Sequence, residues 1–358
     1  MLIASEAINI LVGGRSTEHD TSVHSYTHVL NQVLADPTDR LAIAGVYYVN
    51  FEHGVHAHRQ PPWPRSAAEL AAPAAEPLLG VVAELTRSPS PVFSLLHGNE
   101  GEDGAWQGLA EVVGLRGSFG PVLASALAMN KFYMSVLATS LVSVRMPRTS
   151  VLDAASTDAD LGRAIDMLGS GACIVKPNSM GSSLLAGRYD SLAPATLRHL
   201  LQERLPYDPQ LLVQEYIRGE EYTAGCLEME GEVVVLPVVR AVTSDGFLGH
   251  AEKHRHGLVR AEVVSGQGEI AGRIGGISKD LFRRFGFVGM CRFDYLLGDD
   301  GELYFLEANT LPGLTNGSAY TRMLKAAGYG LVDLIKACIS AARARPQRTK
   351  LLRYEVDG

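Results

Sequence analysis

Two short apolar runs in residues 292–313, R-F-D-Y-L-L-G-D-D-G-E-L-Y-F-L-E-A-N-T-L-P-G, each carry a carboxylate, Asp294 and Glu307, and Asn309 follows Glu307 by two positions. Alternate residues of a strand point to one face, so Glu307 and Asn309 share a face. The turn Gly298-Asp299-Asp300-Gly301 folds Asp294 back beside them. Three hard oxygen donors with no His or Cys suit Mg2+, which keeps part of its water shell and recruits substrate phosphates. Acids set among apolar residues are costly unless a cation neutralises them. An acidic hairpin with one solvated face is the other reading. The apolar neighbours Phe293, Tyr295, Leu306 and Ala308 fit both.

The chain has 358 residues, 46% hydrophobic and 20% charged, which allows two or three globular domains. A net charge of -7 argues against a nucleic-acid surface, which needs a basic excess. The four cysteines, Cys173, Cys226, Cys291 and Cys338, are dispersed in apolar runs without metal-type spacing. They read as buried free thiols and point to the cytoplasm. The first twelve residues lack a basic region, contain Glu6, and read as a first strand rather than a signal peptide. No apolar run reaches membrane-spanning length, so neither a membrane nor a nucleic acid is expected as a partner.

Residues 8–12 form an apolar strand ending in Gly13-Gly14, with an amphipathic helix over about 21–34 and a second strand over 41–49. Residues 59–77, rich in Pro and Ala, read as a surface excursion with a short helix. Residues 91–96 give another buried strand ending at His97-Gly98. This alternation predicts a parallel sheet whose loops at Gly13 and His97 meet at its C-terminal edge, where open α/β sheets bind ligands. Residues 123–139 read as one helix rich in Ala, Leu and Met. Strands at 150–152 and 172–176 suggest a smaller α+β unit, and antiparallel strands follow at 211–216, 221–228 and 232–239. The polar stretch 243–268 is long enough to be a functional lid, with possible hinges at Gly246, Gly249 and Gly257.

Lys176-Pro177-Asn178-Ser179-Met180-Gly181-Ser182-Ser183 follows a strand and offers bare backbone N–H groups and one point charge to phosphate oxygens. It is not a Walker A sequence, and a Gly-Ser surface turn is an equal reading. Lys131, in A-L-A-M-N-K, is a second candidate phosphate ligand or else a solvated helix charge. Gln214-Glu215-Tyr216-Ile217 with Glu221 presents a strand edge that can read adenine and a carboxylate that can hold ribose hydroxyls. Alone it is a strand with acids.

Together these blocks resemble the ATP-grasp superfamily, and within it the D-alanine–D-alanine ligase family. The resemblance runs through G-G-R-S-T-E-H-D-T-S, L-H-G-N-E-G-E-D-G, Gln107-Gly108, A-S-A-L-A-M-N-K, V-K-P-N-S-M-G-S-S, E-Y-I-R-G-E-E, R-F-D and E-A-N-T-L-P-G, in the family's order and across nearly the whole chain. It implies an α/β and α+β fold of three units: an N-terminal parallel-sheet domain at 1–121, a small central α+β domain at 122–210, and a C-terminal antiparallel-sheet domain at 211–358. ATP would sit between the last two, under a lid at about 243–268. It implies an ADP-forming ligation of two amino acids through an acyl phosphate. Lys131, Lys176, Ser183, Gln214, Glu215, Ile217, Glu221 and the lid's Lys253 would bind ATP, and Asp294, Glu307 and Asn309 would hold two Mg2+ ions. Arg292 and the Gly313 N–H would stabilise the oxyanion. Glu18, linked to Ser182, would hold the first substrate's ammonium, with His97 nearby, and Ser318 the second substrate's carboxylate. Relatives of this kind are usually homodimers.

The substrate shell departs from the family's pattern. The lid reads Lys253-His254-Arg255-His256 where Lys-Tyr is common, Ala319 stands where a Leu commonly contacts the second substrate, and Met180 replaces a polar residue. A specialised dipeptide or amide ligase of antibiotic biosynthesis or resistance, with His254 and Ala319 as specificity residues, is therefore carried beside the cell-wall enzyme. A nucleotide-binding regulator without catalysis is the remote third reading, against which Arg292 and both carboxylates stand.

Overall fold

The computed structural model describes residues 6–38, 41–169, 171–243, 259–264 and 268–345. Strand β1 (Glu6–Gly13) is followed by α1 (His19–Ala35), β2 (Leu41–Val49), β3 (Gly54–His58), α2 (Ala67–Leu70), β4 (Glu76–Pro77), α3 (Leu78–Arg87), β5 (Val92–Ser94) and α4 (Ala105–Val113). The first sheet has the order β4-β3-β2-β1-β5, with β1 parallel to both β2 and β5. Ile8, Ile10 and Val12 are fully buried, as a central parallel strand covered on both faces requires. The segment expected as a surface excursion instead carries part of an antiparallel edge, where β4 pairs with β3 and β3 with β2. The Gly13 and His97 loops do meet, with Ser16 Oγ donating to the His97 carbonyl at 2.5 Å.

The single helix expected at 123–139 is two, α5 (Val122–Met129) and α6 (Lys131–Leu141), bent by 107°. Asn130 makes the corner. Its backbone is extended, and its side-chain oxygen accepts the Tyr133 N–H at 2.9 Å as the N-cap of α6. A short amide that satisfies an orphan donor favours starting a new helix over continuing the old one. The small face Ala124, Ala128, Met134 and Ala138 packs on Phe293, Tyr295 and Phe305. Residues 122–141 thus belong with the third sheet, not with the central unit to which sequence assigned them.

The central unit consists of β6 (Thr149–Leu152), α7 (Asp158–Leu168), β7 (Cys173–Pro177), β8 (Gly187–Tyr189), α8 (Pro194–Arg204) and β9 (Leu211–Glu215). Its antiparallel sheet has the order β6-β9-β7-β8 over its own apolar cluster. Strand β9 pairs with both β6 and β7, so the boundary expected at 210 falls instead after Glu215. The run Leu211, Leu212 and Val213 is fully buried and suits an inner strand.

The third unit follows with β10 (Gly219–Met229), β11 (Glu232–Val235), β12 (Val239–Thr243), β13 (Val259–Val263), α9 (Glu269–Phe285), β14 (Met290–Gly298), β15 (Leu303–Asn309), α10 (Ala319–Ala326) and α11 (Leu331–Ala344). Its antiparallel order is β13-β12-β10-β14-β15, with β11 on β10. The expected lid is not one irregular stretch, because β13 pairs with β12 within it. Lys253, His254 and the three hinge glycines lie outside the described residues. Helix α9 covers one face of this sheet, and α10 and α11 cover the other, sharing a core with α1 and β1 of the first unit. Among the described residues no single helix is long and apolar enough to cross a membrane.

Removing the corner's cap should be measurable. Asn130→Ala is expected to lower unfolding free energy by about 1 kcal/mol, the usual worth of a lost N-cap. Urea denaturation checks this, and an unchanged midpoint would show that packing alone makes the bend.

Candidate active site

The strand pair β14–β15 positions the acids. Arg292 pairs with Asn309, Phe293 with Ala308 and Asp294 with Glu307, and then the register slips so that Tyr295 faces Phe305. Directly opposed residues share a face. Arg292, Asp294, Glu307 and Asn309 therefore stand together, while Phe293 and Ala308 are buried beneath. The slip is a β-bulge that leaves Leu306 as the extra residue and turns it into a cleft beside Glu307. Sequence alternation alone did not show this.

Two cations meet this face. Arg292 donates from Nη2 to Asp294 Oδ2 at 2.8 Å and from Nε to both Asp294 oxygens at 3.2 Å, and its Nη2 lies 3.7 Å from Glu307 Oε1. Burial opposes the charge on Arg292, but Asp294 and then Glu307 raise its pKa above the ordinary value. Lys131, at the first position of α6, places Nζ 3.5 Å from Glu307 Oε2 and donates to the Met180 carbonyl at 2.7 Å. Among the described residues no group of three or more His, Cys, Asp or Glu side chains could hold a metal. The donor set is the two carboxylates with Asn309, whose Oδ1 also accepts the Leu311 N–H at 3.1 Å. Two opposed carboxylates that need positive charge, with an amide oxygen beside them, fit a hard divalent cation such as Mg2+.

These acids form one wall of an open cleft between the central and third sheets. Lys176, Ser183, Gln214, Glu215 and Ile217 line the opposite wall, and Lys131, Glu221 and Leu296 complete it. The side chains of Gln214 and Glu215 are engaged inside the central unit. Gln214 donates to Thr149 Oγ1 at 2.9 Å, and Glu215 accepts from the Arg148 backbone N–H at 2.8 Å and from its guanidinium. The Arg188 guanidinium lies 4.3 Å over the Tyr216 ring and stiffens the end of β9. The Gly-Ser loop is unusual, because Ser182, Ser183 and Leu185 all have positive φ. Non-glycine residues seldom adopt that region, and such strain gathers at functional sites. Asp208 anchors the loop by accepting from the Ser179 N–H and Oγ at 2.6 and 2.9 Å.

A second cluster of polar side chains lies next to the cleft residue Ser183. Ser182 Oγ donates to Glu18 Oε1 at 2.8 Å and joins the first and central units. The Glu18 carboxylate rests on two glycines: a Cβ at Gly181 would stand 2.1 Å from Glu18 Oε2, and one at Gly98 would stand 3.0 Å from it. His97, expected to touch substrate, is buried with both ring nitrogens engaged, Nδ1 with the Leu311 carbonyl at 3.0 Å and Nε2 with Ser25 Oγ at 3.2 Å. Burial lowers its pKa, with the Glu18 charge working in opposition. Ser318 caps α10 and donates to the Gly313 carbonyl at 2.6 Å, and Ala319 packs against the shared core. Sequence quoted Glu102 within its motif but gave it no role. It is buried, and its carboxylate accepts the Gly98 and Leu311 N–H groups, each at 2.8 Å.

A lysine-lined cleft between two antiparallel sheets, with paired acids on the larger one, defines an ATP-grasp enzyme. The D-ala D-ala ligase N-terminus model matches residues 7–118 and the D-ala D-ala ligase C-terminus model matches residues 155–340, and the chain belongs to the D-alanine–D-alanine ligase family. The chain is 28% identical over 365 residues to the D-alanine–D-alanine ligase of Macrococcus caseolyticus, covering 99% of this chain and 100% of that protein. To the same enzyme of Cupriavidus pinatubonensis it is 30% identical over 336 residues, 94% of this chain and 91% of that one. The fold is similar to the D-alanine–D-alanine ligase of Coxiella burnetii, with a TM-score of 0.73, 24% identity, and 94% and 95% of the two chains covered. It is also similar to the VanG D-Ala:D-Ser ligase of Enterococcus faecalis, with a TM-score of 0.76, 23% identity, and 94% and 99% covered.

Burial, and then the Glu18 charge, push the Glu102 pKa up to about 8, with Arg292 pulling the other way. A carboxyl whose pKa is raised on folding contributes stability that is present below its unfolded value, 4.5, and lost as pH rises through about 8. The melting temperature of the wild type relative to Glu102→Gln should therefore fall between pH 5 and about 8. Parallel curves would show that the carboxylate is fully compensated.

Proposed function

We propose that this chain is an ATP- and Mg2+-dependent ligase that joins two amino acids, D-alanine with D-alanine as the first pair to test. The observation that carries this reading is the juxtaposition of a phosphate-handling cleft with a carboxylate seat suited to an ammonium. One is the lysine-lined cleft facing Asp294 and Glu307; the other is the Glu18–Ser182 seat beside it. Phosphoryl transfer needs positioning and charge neutralisation more than a protein nucleophile.

Lys131 and Lys176 hold nucleotide phosphates, and backbone at the end of β9 with Ile217 borders the base. Asp294, Glu307 and Asn309 would hold Mg2+, which would supply positive charge against the negative charge of the transferring phosphoryl group. Glu18 receives the ammonium of the first amino acid, whose carboxylate takes the γ-phosphoryl group and releases ADP. The amine of the second amino acid then attacks the acyl carbon, the C–N bond forms, and phosphate leaves with the C–O electron pair. Arg292 and the Gly313 N–H face the oxyanion that develops, and Ser318 orients the second carboxylate. A homodimer in the cytoplasm belongs to the same reading.

The test is ADP release and product mass with Mg2+-ATP and pairs of amino acids. Glu307→Gln is the cleaner metal-site variant, because Asp294 also carries the fork of half-buried Arg292. It is expected to fold and to lose about 100-fold or more in ligation, by analogy with lost charge stabilisation. Full activity at saturating Mg2+ would sink the assignment.

A second reading, a specialised ligase with a larger acceptor, rests on the short side chain of Ala319 beside the Ser318 cap. Ala319→Leu should shift kcat/KM toward D-alanine and away from a bulkier acceptor, by about 1–3 kcal/mol per methylene excluded. An unchanged ratio returns the chain to the cell-wall reading.

A further inference from the structure

The loop Leu311-Pro312-Gly313-Leu314 follows β15 in the third unit, yet side chains of the first unit hold its backbone. The Leu311 N–H donates to Glu102 Oε1 at 2.8 Å, and the Leu311 carbonyl faces His97 Nδ1 at 3.0 Å. The Leu314 N–H donates to Ser25 Oγ at 3.1 Å, and the Leu314 carbonyl faces His28 Nδ1 at 2.8 Å. Both leucines are thus held at donor and acceptor alike. Pro312 has no N–H, and among the described residues the Gly313 N–H has no protein partner.

Carbonyls only accept, so both histidines carry their proton on Nδ1. His97 Nε2 is then an acceptor for Ser25 Oγ–H, 3.2 Å away, while Ser25 accepts from Leu314. The relay is self-consistent with a neutral His97, and every member is satisfied. Ser22, Ser25 and His28 fall at three-residue spacing on α1, which places them on one helix face. Ser22 fixes the Gly13 N–H at 2.8 Å, and the other two reach across to the loop. This stripe is the sequence signal for the arrangement.

We propose that Ser25 and His28 are positioning residues of the ligation: with His97 and Glu102 they clamp residues 311–314 so that the Gly313 N–H points at the reacting carboxyl. The catalytic half of this inference rests on the ligase reading; the clamp itself does not. An oxyanion donor helps only when it is held in place before charge develops, and misplacement by about 1 Å can cost on the order of 100-fold in rate.

The test compares His28→Leu, Ser25→Ala and His28→Gln in the full chain. His28→Leu keeps bulk without a donor, and His28→Gln restores an N–H to the Leu314 carbonyl. Amide hydrogen exchange of the peptide over 310–317 reads the clamp without any substrate. Steady-state kinetics reads kcat and the KM for ATP. Expected are faster exchange in His28→Leu and Ser25→Ala and a fall in kcat of about tenfold or more, with the ATP KM within about twofold. His28→Gln should recover both. Unchanged exchange in both variants overturns the clamp. Faster exchange with unchanged kcat overturns its part in catalysis, and a parallel loss of kcat, ATP affinity and melting temperature without rescue by Gln reduces it to general stability. A wild-type chain that forms no ADP with any amino-acid pair refutes the ligase reading instead, and exchange still decides the clamp.

Discussion

Asp294 and Glu307 face each other across β14 and β15 on the wall of the cleft, and like charges so placed repel unless cations are brought to them. Much of the surrounding structure serves that requirement. Arg292 comes from the same strand two residues earlier and lays its fork on Asp294. Lys131 comes from further off, and it reaches Glu307 because Asn130 ends one helix and starts the next. The start of α6 is docked in turn on Asn178, which accepts the Lys131 N–H at its carbonyl and the Phe132 N–H at its side chain. The charge balance of two acids therefore ties together a helix corner, the strained Gly-Ser loop and a bulged strand.

What sequence showed of the fold and what it hid divide along physical lines. The acid face was legible because alternation and one short turn fix it locally, and the three sheets were legible from the strand–helix order and the family's blocks. The break at Asn130 was not, since Ala, Leu and Met continue in helical spacing on both sides and one cap outweighs them only when tertiary packing accepts the bend. The membership of β9 was hidden because pairing is non-local; its buried run suits either sheet. Leu306 turned to the cleft because a bulge shifts the register by one, an event that propensity does not encode.

Ser182 donates to Glu18, and the glycines beneath Glu18 give that contact a steric reason. His97 was expected to touch substrate. A histidine beside a ligand loop invites a substrate role, whereas this ring is spent inside the protein between Ser25 and Leu311. Glu102, Ser25 and His28 escaped notice because each is unremarkable alone, and their common target is a backbone more than two hundred positions away.

The ammonium of Lys131 is shared between the Met180 carbonyl on one wall of the cleft and Glu307 on the other. An anion that draws this ammonium toward itself loosens its hold on Glu307, which then has more negative charge to offer a cation. A cation that neutralises Glu307 equally loosens the ammonium for an anion. The two occupants compete with one internal contact, so each lowers the work of admitting the other, and thermodynamic reciprocity makes the two effects equal. A nucleotide phosphate and a metal ion bound on either side of Lys131 would thus form a cooperative pair through a single lysine, without any change of fold.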